Sequence, residues 1–248
     1  MTATLLAAVA ALVGFFIGAV GVGGILLIPA LVLLGGLDIH QATATALFSF
    51  LFTGGLGTWL FQRRGSIDWR MTAPVCAGAV VFSYLGAMVN AMVEARMLTL
   101  IIAAIVTCAG AYILLPVTAK AVGRRDGKSK AQQWLLLGVG AASGFGSGLS
   151  GAGGPLFSVP IMLLLDFVPL AAIGTSQVLQ IIAAIAGTAG NLKYGSVDFQ
   201  TAAWITLLEL AGVVAGTRAA HAISIAALRR MAASLCVAAG IFMLLRSL

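Results

Sequence analysis

From residue 4 to residue 36 the chain runs for 33 positions without a charged side chain, and an apolar run of the same length covers about residues 134–166. As one straight helix, such a run is roughly 50 Å long at 1.5 Å per residue, against a bilayer hydrocarbon core of about 30 Å. Further apolar runs cover about residues 40–62, 71–93, 97–116, 170–192, 200–218 and 228–246. Only 8% of the residues are charged and 61% are hydrophobic, whereas soluble domains carry about 25% charge. Too few polar side chains remain to cover a water-facing surface, so a water-soluble fold is excluded. The sequence predicts an all-α integral membrane protein of about eight transmembrane helices. The first twenty residues lack a basic n-region and lead into more apolar chain, so they are expected to stay as the first span.

Sliding the chain on itself by 130 residues aligns its punctuating residues. Gly14, Phe15 and Gly18 meet Gly144, Phe145 and Gly148, and GVGG at Gly21–Gly24 meets GAGG at Gly151–Gly154. Thr45 meets Thr175, and GSID at Gly65–Asp68 meets GSVD at Gly195–Asp198. Bulk apolar composition does not align such residues. Two homologous four-span repeats are therefore expected, at 1–118 and 131–248, joined by a basic cytoplasmic linker at 119–130.

Charge then sets an expected orientation. With four crossings per half, Arg63, Arg64, Arg70, Lys193, Arg246 and the linker residues Lys120, Arg124, Arg125, Lys128 and Lys130 share the inner side. Arg96, Arg218, Arg229 and Arg230 fall outside, with the acidic Asp38, Glu94 and Asp166. Both termini are then cytoplasmic and the repeats parallel. An odd number of crossings in the opening run would invert them instead.

That opening run has to tilt, re-enter or break. Gly21, Gly23 and Gly24 stand in its middle with Pro29 after them, and Gly151, Gly153, Gly154, Pro155 and Pro160 stand at the matching place in the second half. Glycine lowers helix propensity by about 1 kcal/mol, and proline removes a backbone donor. In a bilayer such interruptions survive only where the freed backbone is buried in protein or lines a cavity. Paired broken segments at corresponding positions of two halves mark a transport site near the midplane. Exposed half-helix N-termini there attract an anion without a formal charge.

These residues resemble the TauE/SafE family, also called the sulfite exporter or 4-toluene sulfonate uptake permease family. The resemblance rests on Gly18–Gly24 with Pro29, Gly148–Gly154 with Pro160, the GSxD turns and the two four-span halves, and it covers essentially the whole chain. It implies a secondary transporter of sulfur-containing anions such as sulfite, sulfonates or sulfoacetate, often an exporter, in the cytoplasmic membrane of a bacterium.

Polar side chains on the following spans are expected to line the substrate site: Thr43, Thr45 and Ser49 in the first half, and Thr175, Ser176, Gln177 and Gln180 in the second. Gln177 and Gln180 are three apart and share a helix face, and their amide donors suit a sulfonate or sulfite oxygen. Their counterparts, Leu47 and Phe50, make the lining lopsided. Glu209 lies deep in an apolar run, at a cost of at least about 2.5–3.5 kcal/mol if charged at the bilayer centre. It is a candidate for proton coupling, or else a partner for Arg218 or His221. Asp68 and Asp198 each precede an apolar run and read as helix N-caps. His40 and His221 lie near span ends and read as interfacial, while Arg218, Arg229 and Arg230 suggest an outer vestibule for anions or a plain exception to the charge rule.

No metal, cofactor or nucleic-acid role is expected. The cysteines Cys76, Cys108 and Cys236 are scattered, only two histidines occur, and no HxxxH, HExxH or paired-carboxylate pattern is present. An enzyme is therefore not expected, and a passive anion channel is the alternative to a carrier. The partners expected are a small anion and membrane lipid, with the oligomeric state open and a homodimer among the options.

Overall fold

The computed structural model describes residues 2–20, 24–114, 125, 127, 129–167, 169–219, 234, 237–238 and 240–245. Gly21, Gly23, His221, Arg229, Arg230, Cys236, Arg246 and most of the linker and of the run 228–246 lie outside them. The order is α1 (Thr2–Val20), a 3₁₀ turn at Gly24–Leu26 leading into α2 (Leu27–Leu33), α3 (Ile39–Arg63), α4 (Trp69–Met92) and α5 (Ala95–Leu114). Then follow α6 (Lys130–Ser150), α7 (Gly154–Leu164), α8 (Pro169–Tyr194) and α9 (Phe199–Ala219). Among the described residues, five stretches are long and apolar enough to cross a membrane: Ile39–Arg63, Trp69–Met92, Ala95–Tyr112, Ala171–Tyr194 and Phe199–Gly216. Their outward faces carry large apolar side chains such as Trp59, Val81 and Leu207, which lipid accommodates and water does not.

Short aspartate turns start three of these helices. Asp38 accepts the amides of His40 and Gln41, Asp68 accepts that of Arg70, and Asp198 accepts both the amide and the hydroxyl of Thr201. The first-turn amides of a helix have no partner of their own, which is what an N-cap carboxylate supplies.

Small residues set how the helices pack. Gly140, Gly144 and Gly148, four apart on α6, lie on Val75, Ala79 and Ser83 of α4, so close that a β-carbon at any of them would overlap the α4 backbone. Gly14 and Gly18 of α1 lie in the same way on Glu209 and Val213 of α9. Without a hydrophobic drive between helices in lipid, such close backbone contact is the main source of association. In both crossings the residue numbers rise together, so α4 runs parallel to α6 and α1 parallel to α9. The two sets correspond under the 130-residue offset: Gly14 with Gly144, Gly18 with Gly148, Glu209 with Ala79 and Val213 with Ser83. The helix that opens each half thus packs against a late helix of the other.

The pairing of α3 with α8 has the opposite sense. Leu47 meets Gly187, Gly54 meets Gln180 and Ile181, and Gly57 meets Gln177. These two helices, which the same offset aligns, are antiparallel. The parallel relation expected between the halves does not hold, because each opening run turns back on itself and adds a reversal that the expected four crossings leave out. The two GSxD turns accordingly lie at opposite ends of the bundle. Ser66 of the first packs on Gly174 near the start of α8, and the amide of Asp198 in the second donates to Thr45 near the start of α3.

This re-sorts the charges. Arg63, Arg64 and Arg70 flank the Asp68 turn, and Arg125 and Lys130 join them there, since Arg125 donates its amide to Asp166 and Gly127 packs on Met71. Starting beside Thr45 and Phe48 at the far end, the 21 residues of α9 run about 30 Å and bring Arg218 to this end too. Lys193 and Arg96 lie at the Asp198 end. The shared side expected for Lys193, and the outer side expected for Arg218, are both overturned by the antiparallel run of α8. Because α1 runs parallel to α9, it also begins at the Asp198 end, opposite Arg63 and Arg64.

Two apolar clusters underlie the arrangement. One is built mainly from α1, α2, α3, α5 and α9, around Phe16, Leu27, Phe50 and Ile102. The other comes from α4, α6, α7 and α8, around Met71, Val75, Leu136 and Leu179. The α3–α8 seam lies between them.

Candidate functional site

The breaks meet near the middle of that seam. α6 ends at Gly151, whose φ of 68° is left-handed and whose amide donates to the Ser147 carbonyl. Gly153 follows at φ 85°. Side chains resist this region of backbone space, so two glycines here let the chain reverse within three residues. Gly154 then opens α7 with Pro155 in its first turn, where a missing amide leaves no helix bond unmade. Gly24, on the other broken segment, lies against the ring of Phe50 and near the carbonyl of Ala152. Gly153 faces the same ring, Gly151 packs on Thr43, and Gly154 packs on Leu179 and the backbone of Gln180. Phe50 and Gln180 are the residues that the 130-residue offset aligns, and each lies near the middle of its helix. Of the first-half glycines expected here, only Gly24 is among the described residues.

Hydrogen bonding separates the expected polar lining into two kinds. Ser49 donates its hydroxyl to the Ala46 carbonyl at 2.8 Å, and Ser176 donates to that of Ile173 at 2.7 Å. A hydroxyl has one proton, so neither donates to a ligand in this arrangement. Thr43 is spent likewise on the His40 carbonyl. Thr45 accepts the Asp198 amide at 3.0 Å. Thr72 gives its proton to the Asp68 carbonyl, so Thr175, 2.9 Å away, is the donor in the Thr72–Thr175 bond. Thr45 and Thr175 thus tie α3 and α8 to the starts of α9 and α4, while the protons of Thr43, Ser49 and Ser176 go to carbonyls of their own helices.

Gln177 and Gln180 are different. Gln180, 3% exposed, donates through Nε2 to Thr53 at 3.2 Å across the seam. Gln177, 1% exposed, packs on Gly57, and among the described residues neither its Nε2 nor its Oε1 has a hydrogen-bond partner. The nearby Thr58 hydroxyl on α3 is also without one. Buried amides are nearly always paired, so an orphaned one in this seam needs an explanation. An amide with free donor and acceptor atoms, one helical turn from the Gln180 backbone on which Gly154 packs, can hold a small oxyanion.

Thr53 and Asn90 belong to this region and were not singled out from the sequence. Asn90 donates to the Thr43 hydroxyl at 3.1 Å and to the Leu149 carbonyl at 2.6 Å, and its own oxygen lies 3.3 Å from His40 Nδ1. It fastens the last turn of α6 ahead of the break. The signal was legible: Asn90 is a lone amide in an apolar run. Glu209 lies where α9 crosses Gly14 of α1, and Ser49, next to Phe50 on α3, faces it. Arg218, nine positions on and exposed, is about 13 Å further along the same helix and does not reach it. Among the described residues, no group of three His, Cys, Asp or Glu side chains is placed to hold a metal ion.

A bundle of apolar crossing helices built round two broken segments is the architecture of a multi-pass membrane transporter. The family model described as "Sulfite exporter TauE/SafE" matches residues 6–243, and the chain belongs to that family. It is also similar to the "Probable membrane transporter protein YdhB" of Bacillus subtilis (strain 168), with 27% identity over 212 residues, covering 84% of this chain and 86% of the relative. No solved structure gives a significant match. The resemblance carried by the glycine motifs is borne out, and the family is one of membrane transporters, not of enzymes.

Proposed function

We propose that the protein is a secondary carrier that exports small sulfur-containing anions, such as sulfite or organosulfonates, by alternating access around the two helix breaks. The observation that carries this reading is the unpaired Gln177 amide in the same α3–α8 seam where Gly24 meets Phe50 and Ala152. Inverted, interlocked halves with a broken segment in each fit a carrier whose site opens to either end in turn. The Gly151–Gly154 turn and the amides of Gln177 and Gln180 supply the donors, and the start of the 11-residue α7 adds the favourable end of a helix dipole. The moving bodies are the two apolar clusters, not the two sequence halves, because α1 is locked to α9 and α4 to α6.

Sidedness follows from charge. Among the described residues, Arg63, Arg64, Arg70, Arg125, Lys130 and Arg218 gather at the Asp68 end, against Arg96 and Lys193 at the other, so the Asp68 end faces the cytoplasm. The start of α1 is then extracytoplasmic. The carrier itself is tested by thermal unfolding in detergent with sulfite, sulfate, thiosulfate, sulfoacetate and aromatic sulfonates, followed by counterflow in proteoliposomes. A bound anion at 100 times its Kd adds about 2.7 kcal/mol to stability. Stabilisation by a sulfur oxyanion with counterflow supports the reading. Flux without counterflow identifies a channel, and no stabilisation by any anion removes the anion site.

A further inference from the structure

The α1–α9 and α4–α6 crossings are built alike, yet only one carries an acid. Where Gly144 of α6 meets Ala79, Gly14 of α1 meets Glu209, so the crossing itself needs nothing larger than alanine at that position. Glu209 is fully buried, and among the described residues neither carboxyl oxygen has a hydrogen-bond partner. Ser49 faces it from α3, but the Ser49 proton goes to Ala46. Among the described residues, the helices packed on α9 bring no counter-charge: α1 has no ionisable side chain in Thr2–Val20, and those of α3 are His40 and Arg63 at its two ends. On α9 itself the other ionisable group is the distant, exposed Arg218. A carboxylate cannot stay charged in such a place without a partner or water.

We infer that Glu209 is the proton-coupling group of the transport cycle. This rests on the carrier reading above and adds the co-transported ion to it. With α1 seated on α9, Glu209 crosses the cycle as the neutral acid. When the seam between the two apolar clusters opens and water reaches the carboxyl, the O–H bond breaks, the proton passes to water on the open side, and the carboxylate stays until it is protonated again. Charge is thereby admitted to the α1–α9 crossing only in the open state, which ties anion movement to the proton gradient.

The experiment uses purified protein in proteoliposomes with sulfite as the probe. It compares wild type with Glu209→Gln, which keeps shape and neutrality, and Glu209→Asp, which keeps the acid. Sulfite counterflow at equal pH and sulfite-driven proton movement, followed by an entrapped pH dye, are both measured. The expected result is that Glu209→Gln keeps counterflow within about threefold, while its proton movement falls at least tenfold and accumulation under a pH gradient drops to unity. Glu209→Asp recovers part of both. Proton movement by Glu209→Gln equal to wild type overturns the inference. So does loss of counterflow and of proton movement in parallel in a folded Glu209→Gln protein, which marks a structural role. If Glu209→Gln does not fold, Glu209→Asp decides alone: wild-type proton movement with a shifted pH profile supports the inference, and an unshifted profile overturns it. Absence of counterflow in the wild type instead defeats the carrier reading itself.

Discussion

Thr45, on α3, accepts the backbone amide of Asp198 at 3.0 Å from 153 positions away. The bond fixes the start of α9 to the first third of α3, and it gives Thr45 a structural task that the spacing of polar residues in the sequence does not reveal. Replacement by valine keeps the shape and leaves a buried amide unpaired, at a cost of about 1–3 kcal/mol. Thermal unfolding of Thr45→Val is expected to show that loss. Sulfite KM in the folded fraction should stay within about twofold of wild type, and a tenfold rise would return Thr45 to the binding site.

Gln177 predicts the reverse pattern. Its amide has no partner to lose, so Gln177→Leu should leave stability unchanged or raise it by about 1 kcal/mol, since burying an unpaired amide is unfavourable. Transport should nevertheless fall at least tenfold. Gln180→Leu strands the Thr53 hydroxyl and should lose both stability and transport.

The glycine seams predict position-specific tolerance within one helix. At Gly148 a β-carbon overlaps the Ser83 backbone, whereas at Gly138 nothing lies within reach. Gly148→Leu should abolish recovery of monodisperse protein. Gly138→Ala should stabilise by about 0.5–1 kcal/mol through helix propensity, as read from thermal unfolding.

Asp198 sets a pH dependence at the membrane surface. The hydroxyl and amide of Thr201 hold its carboxyl below its ordinary value of 3.8. A lowered folded-state value means that its stabilisation is present above the ordinary value and is lost as pH falls through the folded one. The stability gap between wild type and Asp198→Ala, about 0.5–1 kcal/mol for a partly exposed cap, should be constant from pH 5 to 8 and shrink below about pH 4. A gap that grows on acidification contradicts the capping geometry.

Sidedness is open to direct labelling. In a background with Cys76, Cys108 and Cys236 replaced, cysteines at Arg64 and at Lys193 should react with an impermeant maleimide from opposite faces of the membrane. Labelling from the same face would restore the parallel arrangement.

Much of this was written in the chain. The paired Gly/Pro interruptions located both breaks, because no other residues weaken a helix so strongly in lipid, and Asp68 and Asp198 announced their turns. The direction of the halves was not legible. It depends on whether α2 and α7, at 7 and 11 residues, count as crossings, and a continuous apolar run does not show where it reverses. Lys193 was misplaced for that reason alone. Within the site, Ser49 and Gln177 look equally polar in sequence, and only the fold shows that the serine proton is already given to its own helix while the glutamine amide is free.

The pairing of α1 with α9 also fixes an order of events in synthesis. Gly14 and Gly18 form a bare notch that α9 fills, yet Glu209 and Val213 leave the ribosome nearly two hundred residues later. At roughly 5–20 residues per second the delay is on the order of ten to forty seconds. For that time the first helix stays in the bilayer with its contact face open to lipid or to an insertion chaperone. A nascent chain released before α9 is made has nothing to close that notch, so truncation within the second half forfeits the first as well.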